Sequence, residues 1–129
     1  MIKNIICIGA VFFITSCASN HENKIQILTT AKVVDITKQG SKVCASFQLT
    51  ESEITLYFQT AEEVSNEEAH GESIIMPCKY SGELIMNKEV YSYEVFAGGA
   101  GYIFDDKGWV LKNFICKNNN CCSSFSNLC

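Results

Sequence analysis

An apolar run from Ile5 to Ile14 opens the chain without a charge, and after it hydrophobic positions come in short groups separated by polar or glycine-bearing breaks. The run follows Lys3 and is about half the ~20 apolar residues a bilayer-spanning helix needs. That layout is a signal peptide's rather than a permanent span's. From Ile25 to Ile36 β-branched and aliphatic residues lack a 3.6-residue period, which predicts a strand, and Lys38-Gln39-Gly40-Ser41 supplies a turn. Val43, Ala45, Phe47 and Leu49 alternate with polar neighbours. After Glu51-Ser52 the alternation resumes at Ile54, Leu56 and Phe58, so residues 42–59 are expected to form a hairpin.

Farther along, the acidic stretch Ala61 to Ala69, with Val64 its lone larger aliphatic, is either a short solvated helix or a loop. A strand through Ile74, Ile75 and Met76 is broken by Pro77, which belongs at an edge or bulge because it cannot donate to a ladder. Ser81-Gly82 is expected to turn the chain, and Leu84–Met86 and Val90–Phe96 to be strands flanking Asn87-Lys88. Gly98-Gly99-Ala100-Gly101 interrupts the pattern. Tyr102–Phe104 and Trp109–Cys116 flank Asp105-Asp106-Lys107-Gly108, suited to a type I turn closed by a left-handed glycine. About seven short strands with no βαβ alternation predict a mainly β fold. The expected architecture is a small antiparallel barrel or sandwich, stapled by disulfides, with room for one short helix.

Three segments follow: residues 1–16 as a removed signal, 17–24 as a polar tether, and 25–129 as a single β-rich domain ending in a cysteine-rich tail. Removing residues 1–16 leaves 113 residues, a size that suits one domain with a modest core. The chain holds ten lysines, fourteen acidic residues and no arginine, and losing Lys3 takes its formal charge from −4 to −5. Nucleic-acid binding needs a basic face, so that class is excluded. The same acidity opposes electrostatic adhesion to anionic lipid.

The cleavage region Ile14-Thr15-Ser16-Cys17 resembles the bacterial lipobox, in which the cysteine receives a diacylglycerol and becomes the new N-terminus. The resemblance implies an exported lipoprotein anchored through Cys17. Ala18 and Ser19 follow instead of the Asp that retains lipoproteins at the inner membrane, which favours the outer membrane, facing the periplasm, in a host that has one.

With Cys7 in the signal and Cys17 on lipid, Cys44, Cys78, Cys116, Cys121, Cys122 and Cys129 remain. Six cysteines in an oxidising compartment read as three disulfides with 15 possible connectivities. Zinc knuckles favour C-x₂₋₄-C pairs or histidine partners, whereas this tail reads C-x₄-C-C-x₆-C with His21 and His70 far away, so no metal or cofactor is expected. The tail from Lys117 to Cys129 has too few apolar residues to pack unaided and is expected to be held against the sheet by its bridges.

Candidate chemistry is sparse. His70 is the one histidine inside the domain, and the pairs Glu62-Glu63 and Glu67-Glu68 are charge-dense, whereas an acid–base carboxylate needs an apolar pocket. No nucleophile motif accompanies His70, and no catalytic residue is assigned. The glycine run is not a phosphate loop, because a strand follows it instead of a helix. It is either a bend where glycine relieves crowding or an aromatic-flanked loop that enters a partner's cleft, which makes Gly98, Gly99, Gly101, Tyr102, Phe104 and Trp109 candidate partner-binding residues.

The stretch from Gly99-Ala100-Gly101-Tyr102 to Trp109 is similar to the loop region of membrane-bound lysozyme-inhibitor lipoproteins, small β-barrels bearing a disulfide. It implies a lipid-anchored module that binds another protein, such as an immunity protein or an inhibitor of a toxin or hydrolase. An assembly lipoprotein with a broad apolar face, and a surface hydrolase built on His70, are the alternatives.

Overall fold

A computed structural model describes residues 31–72 and 76–129. Within them seven strands run in the order β1 (Lys32–Val33), β2 (Thr37–Gln39), β3 (Glu62–Val64), β4 (Lys79–Met86), β5 (Glu89–Phe96), β6 (Ala100–Phe104) and β7 (Val110–Ile115). They pair antiparallel in one sheet of order β1-β4-β5-β6-β7-β3, with β2 also on β4. Among the described residues three α-helices accompany them: α1 (Glu51–Thr60), α2 (Asn66–Glu72) and α3 (Asn119–Ser124). The expectation of a mainly β, seven-stranded, disulfide-stapled domain therefore holds. Among the described residues, however, the sheet neither closes into a barrel nor faces a second sheet, because α1 and the C-terminal tail cover its inner face.

The central meander follows from its turns and its alternation. Asn87 and Lys88 both take positive φ, the backbone of a two-residue turn whose twist matches its strands. Gly108, at φ +81°, closes the turn between β6 and β7 as expected. Tyr80, Leu84, Met86, Tyr93, Val95, Ile103 and Phe114 point to the inner face and are buried.

The expected hairpin over residues 42–59 is not formed. Lys42–Cys44 is a 3₁₀ turn and residues 51–60 are α1. Ile54 and Phe58 satisfy an alternating pattern, but with Tyr57 they also satisfy the i, i+3, i+4 pattern of a helix face, and all three are fully buried. The helix start decides between the two. Thr50 accepts from the Glu53 amide and the Glu53 carboxylate accepts from the Thr50 amide, a reciprocal capping box that the segment read as a turn had concealed. Ser65 and Glu68 repeat the arrangement at the start of α2. The acidic stretch is thus a helix from Asn66, preceded by a short strand, β3, against the far edge of β7.

Ser81-Gly82 is not a turn either; it lies within β4. The edge strand bulges there, with the amides of Val34 and Asp35 both donating to the Glu83 carbonyl, and the Asp35 carbonyl crosses over Gly82 where a Cβ would overlap it. Tyr93, opposite Gly82, donates to the same Asp35 carbonyl at 2.8 Å. Of the strand expected over 25–36 only its last part is described, as β1, and Ile74 and Ile75 lie outside the described residues. Pro77 lies outside β4, which begins two residues later.

The six domain cysteines form Cys44–Cys78, Cys116–Cys121 and Cys122–Cys129. The first ties the 3₁₀ turn to the start of β4; the other two hold the tail. The tail contributes more than sulfur: Phe125 and Leu128 are buried in the main core.

Cross-linking stabilises in proportion to the logarithm of the loop it closes. The 34-residue closure of Cys44–Cys78 should contribute about 4 kcal/mol and the 5-residue closure of Cys116–Cys121 about 2 kcal/mol. Denaturant midpoints of Cys44→Ala/Cys78→Ala and Cys116→Ala/Cys121→Ala should fall in that order, and the reverse order would show that packing outweighs chain entropy.

Candidate functional site

The two ends of the sheet differ in kind. At one end the β5–β6 turn, the C-terminus of α1 and the tail converge on the glycine run. Tyr57 donates to the Gly99 carbonyl at 2.7 Å, and the Cys116 amide donates to the same oxygen at 2.9 Å. The Tyr57 ring lies on Gly101, where a Cβ would stand 2.5 Å from its Cε1. Asn118 caps α3 by accepting from the Cys121 amide and donates its own amide to the Thr60 carbonyl at 2.9 Å. Burial, with a smaller contribution from Tyr102, raises the Tyr57 phenol well above its ordinary pKa, so it stays a neutral donor.

Gly99 and Gly101 are therefore built into the interior architecture around Tyr57, while Gly98, beside them in the β5–β6 turn, is half-buried. Tyr102 is on the opposite, outer face, 8% exposed, in a second apolar cluster with Val64, Ala69, Ala100 and Ile115; Phe96 and Phe104 pack against it. Its ring stands edge-on to Phe96, with centroids 5.9 Å apart. The Tyr102 hydroxyl and the Oδ1 of Asn113, its cross-strand neighbour, are both buried without a hydrogen-bond partner among the described residues.

Trp109 stands at the other end. It is 72% exposed, and two exposed apolar residues, Val110 and Leu111, follow it. The turn carrying it is locked by one carboxylate: Asp105 Oδ1 accepts from the amides of Lys107 and Trp109, both at 2.9 Å. The Asp105 amide also donates to the Trp109 carbonyl at 2.9 Å. A β-bulge near Phe104 breaks the alternation, which places consecutive apolar residues at the surface. Val90 and Ile85, cross-strand partners beside the Asn87-Lys88 turn, are exposed at the same end.

The six partner-binding candidates are thus not one surface. Trp109 is displayed, Phe104 is partly exposed, and Gly98, Gly99, Gly101 and Tyr102 belong to the opposite end or to packed faces. Val110, Leu111 and Val90 were missed from sequence. The signal for the first two was present, since three consecutive apolar residues directly after a turn do not fit a half-buried strand.

The acid–base candidates are dispersed. His70 is exposed on α2. Glu63 pairs with Lys112 at 3.4 Å, and Glu68 both caps α2 and approaches Lys117 at 3.5 Å. The Sγ atoms of Cys116, Cys122 and Cys129 lie within 4.8 Å of one another, a thiolate-cluster spacing, but each sulfur is committed to a disulfide. Among the described residues no helix is long and apolar enough to cross a membrane. No protein-family model, curated protein or solved structure matches the chain.

Trp109 is the protein's one tryptophan, so its fluorescence reports the candidate site directly. Its emission maximum should shift little on unfolding, and acrylamide should quench it in the native protein nearly as well as in the denatured one. A strongly blue-shifted native emission would mean the indole is covered.

Proposed function

We propose that the protein is a lipid-anchored cell-envelope module that binds another protein, as an immunity protein or inhibitor of a toxin or hydrolase does. The carrying observation is Trp109, an exposed indole on a turn that Asp105 locks. A solvated tryptophan costs the isolated chain favourable burial, and Trp is among the residues most enriched where a partner's pocket desolvates it. Because the turn is already ordered, little conformational entropy is lost on binding. Exposed Val110 and Leu111 extend the apolar contact, and adjacent Asp106 and Lys107 would form a polar rim.

The envelope location is part of the same proposal. It draws on the lipobox-like Ile14–Cys17, the apolar run after Lys3, and three disulfides of the sort an oxidising compartment maintains. Outer-membrane placement facing the periplasm rests on Ala18 and Ser19. Attachment would come from acyl chains on Cys17.

Two outcomes test the reading. Cys17→Ser should leave uncut precursor and abolish detergent-phase partitioning, and a mutant that is processed and still partitions would show that lipid on Cys17 is not the anchor. Affinity capture from envelope extract under oxidising conditions should recover a partner. Trp109→Ala in the full chain should weaken binding by more than about 2 kcal/mol, roughly thirtyfold, with the melting temperature unchanged. His70→Ala should leave affinity intact. If Trp109→Ala binds normally while His70→Ala destroys biological activity, a catalytic role replaces the binding one. Tyr102 is unsuited to this comparison, since truncating a buried side chain tests folding.

A further inference from the structure

The tail's two bridges touch. Cys129 Sγ lies 3.6 Å from Cys116 Sγ and 3.1 Å from the Cys116 carbonyl oxygen, although Cys129 is bonded to Cys122 and Cys116 to Cys121. A depression of about 330 Å³, lined by Gly98, Lys117, Cys122, Leu128 and Cys129 among others, opens beside them. The bridges differ in access. Cys129 is exposed and Cys122 partly so, whereas Cys116 and Cys121 are 3% and 0% exposed and Cys44 and Cys78 are 1% and 5% exposed.

We propose that these two bridges form a disulfide relay, opened by a small dithiol reductant at Cys122–Cys129 and ending with thiols on the consecutive residues Cys121 and Cys122. The reductant's thiolate attacks the exposed Cys129 Sγ, the Cys122–Cys129 bond breaks, and Cys122 leaves as a thiolate that takes up a proton. The reductant's second thiol closes on the first as its own disulfide and releases Cys129 as a thiolate. That thiolate, in contact with Cys116 Sγ, forms a Cys116–Cys129 bond as the Cys116–Cys121 bond breaks, and Cys121 takes up a proton. Two electrons pass from the dithiol to the protein, and one of the tail's two bridges remains, with Cys44–Cys78 untouched.

Contact geometry makes the second exchange intramolecular, so it competes well against any second molecule of reductant. Packing favours its product. Phe125 and Leu128 are buried, which keeps Cys129 beside Cys116 after the outer bridge opens. The exchanged bridge ties Cys129 directly to the residue after β7, whereas the unexchanged state leaves residues 122–129 without a cross-link.

One equivalent of dithiothreitol added to the oxidised full chain, followed by acid quench and maleimide labelling, reads the relay. Cleavage after Lys117 leaves Cys116 on one peptide and Cys121, Cys122 and Cys129 on residues 118–129, so fragmentation assigns each label. Label should appear on Cys121 and Cys122, with Cys121 exceeding Cys129 by about tenfold. Label on Cys129 equal to or above that on Cys121 overturns the relay, and so does first labelling of Cys44 and Cys78. In Cys116→Ser/Cys121→Ser the label should move to Cys122 and Cys129. If that variant does not fold, the wild-type pattern alone decides.

Discussion

One aromatic ring laid on one glycine organises this molecule. Tyr57 reaches from α1 to β6, covers Gly101 and donates to the Gly99 carbonyl. Its helix neighbour Phe58 then meets Tyr93 and Phe114 edge-on, with centroids 5.7 and 5.3 Å away, while Phe125 of the tail approaches Tyr57 itself. Each fully buried aromatic contributes about 1.5–3 kcal/mol from burial, and edge-on pairs add about 0.5–1.5 kcal/mol each. Any side chain at 101 would overlap the Tyr57 ring and force it to shift, disturbing the contacts that ring makes. The Gly99 carbonyl binds the same assembly to the cysteine tail through the Cys116 amide.

That arrangement divides the sheet lengthwise. The end holding the glycine run is closed by a helix terminus, a buried phenol and two disulfides, and its backbone groups are spent on one another. The opposite end holds the turns Asn87-Lys88 and Asp105–Gly108, each ordered locally, with β1 beside Leu84 and Ile85, and it carries the exposed Val90, Trp109, Val110 and Leu111. A small domain has little core to spend. Concentrating its covalent and aromatic stabilisation at one end leaves the other free to expose apolar side chains without loosening the fold.

The parts of this fold legible in the sequence are those decided locally. The strands from Leu84 to Cys116 carry unambiguous turn chemistry between them, and the tail's need for cross-links follows from its composition. What was misread depends on contacts distant in sequence. Ile54, Leu56 and Phe58 fit two periodicities, and only the Thr50–Glu53 capping pattern separates them; Leu56, the residue that made the strand reading work, is the one left 38% exposed. Ser81-Gly82 has turn composition, but the glycine is required because Asp35 crosses it. The burial of Tyr102 had the same kind of origin. Which face of β6 meets solvent depends on β3 and α2 covering the outer side, and the acidic residues 61–69 give no sign of that role. Trp109 was singled out for its place beside the Asp105–Gly108 turn, and it is there that the structure exposes it.

β7 is the element that joins the two chemistries. It begins beside Trp109 and ends beside Cys116, and six residues at the rise of a strand put those ends about 20 Å apart. The strand is held by β6 along its length and by β3 over its second half. A change among the tail sulfurs therefore meets the rigid part of β7 first, where Asn113, Phe114 and Ile115 are all buried. Any coupling between the redox state of the tail and partner binding at Trp109 would have to move that packed segment between two arrangements. Nothing in the burial of these residues provides a second arrangement, so the proposed recognition at the Trp109 turn is expected to be independent of the proposed exchange in the tail.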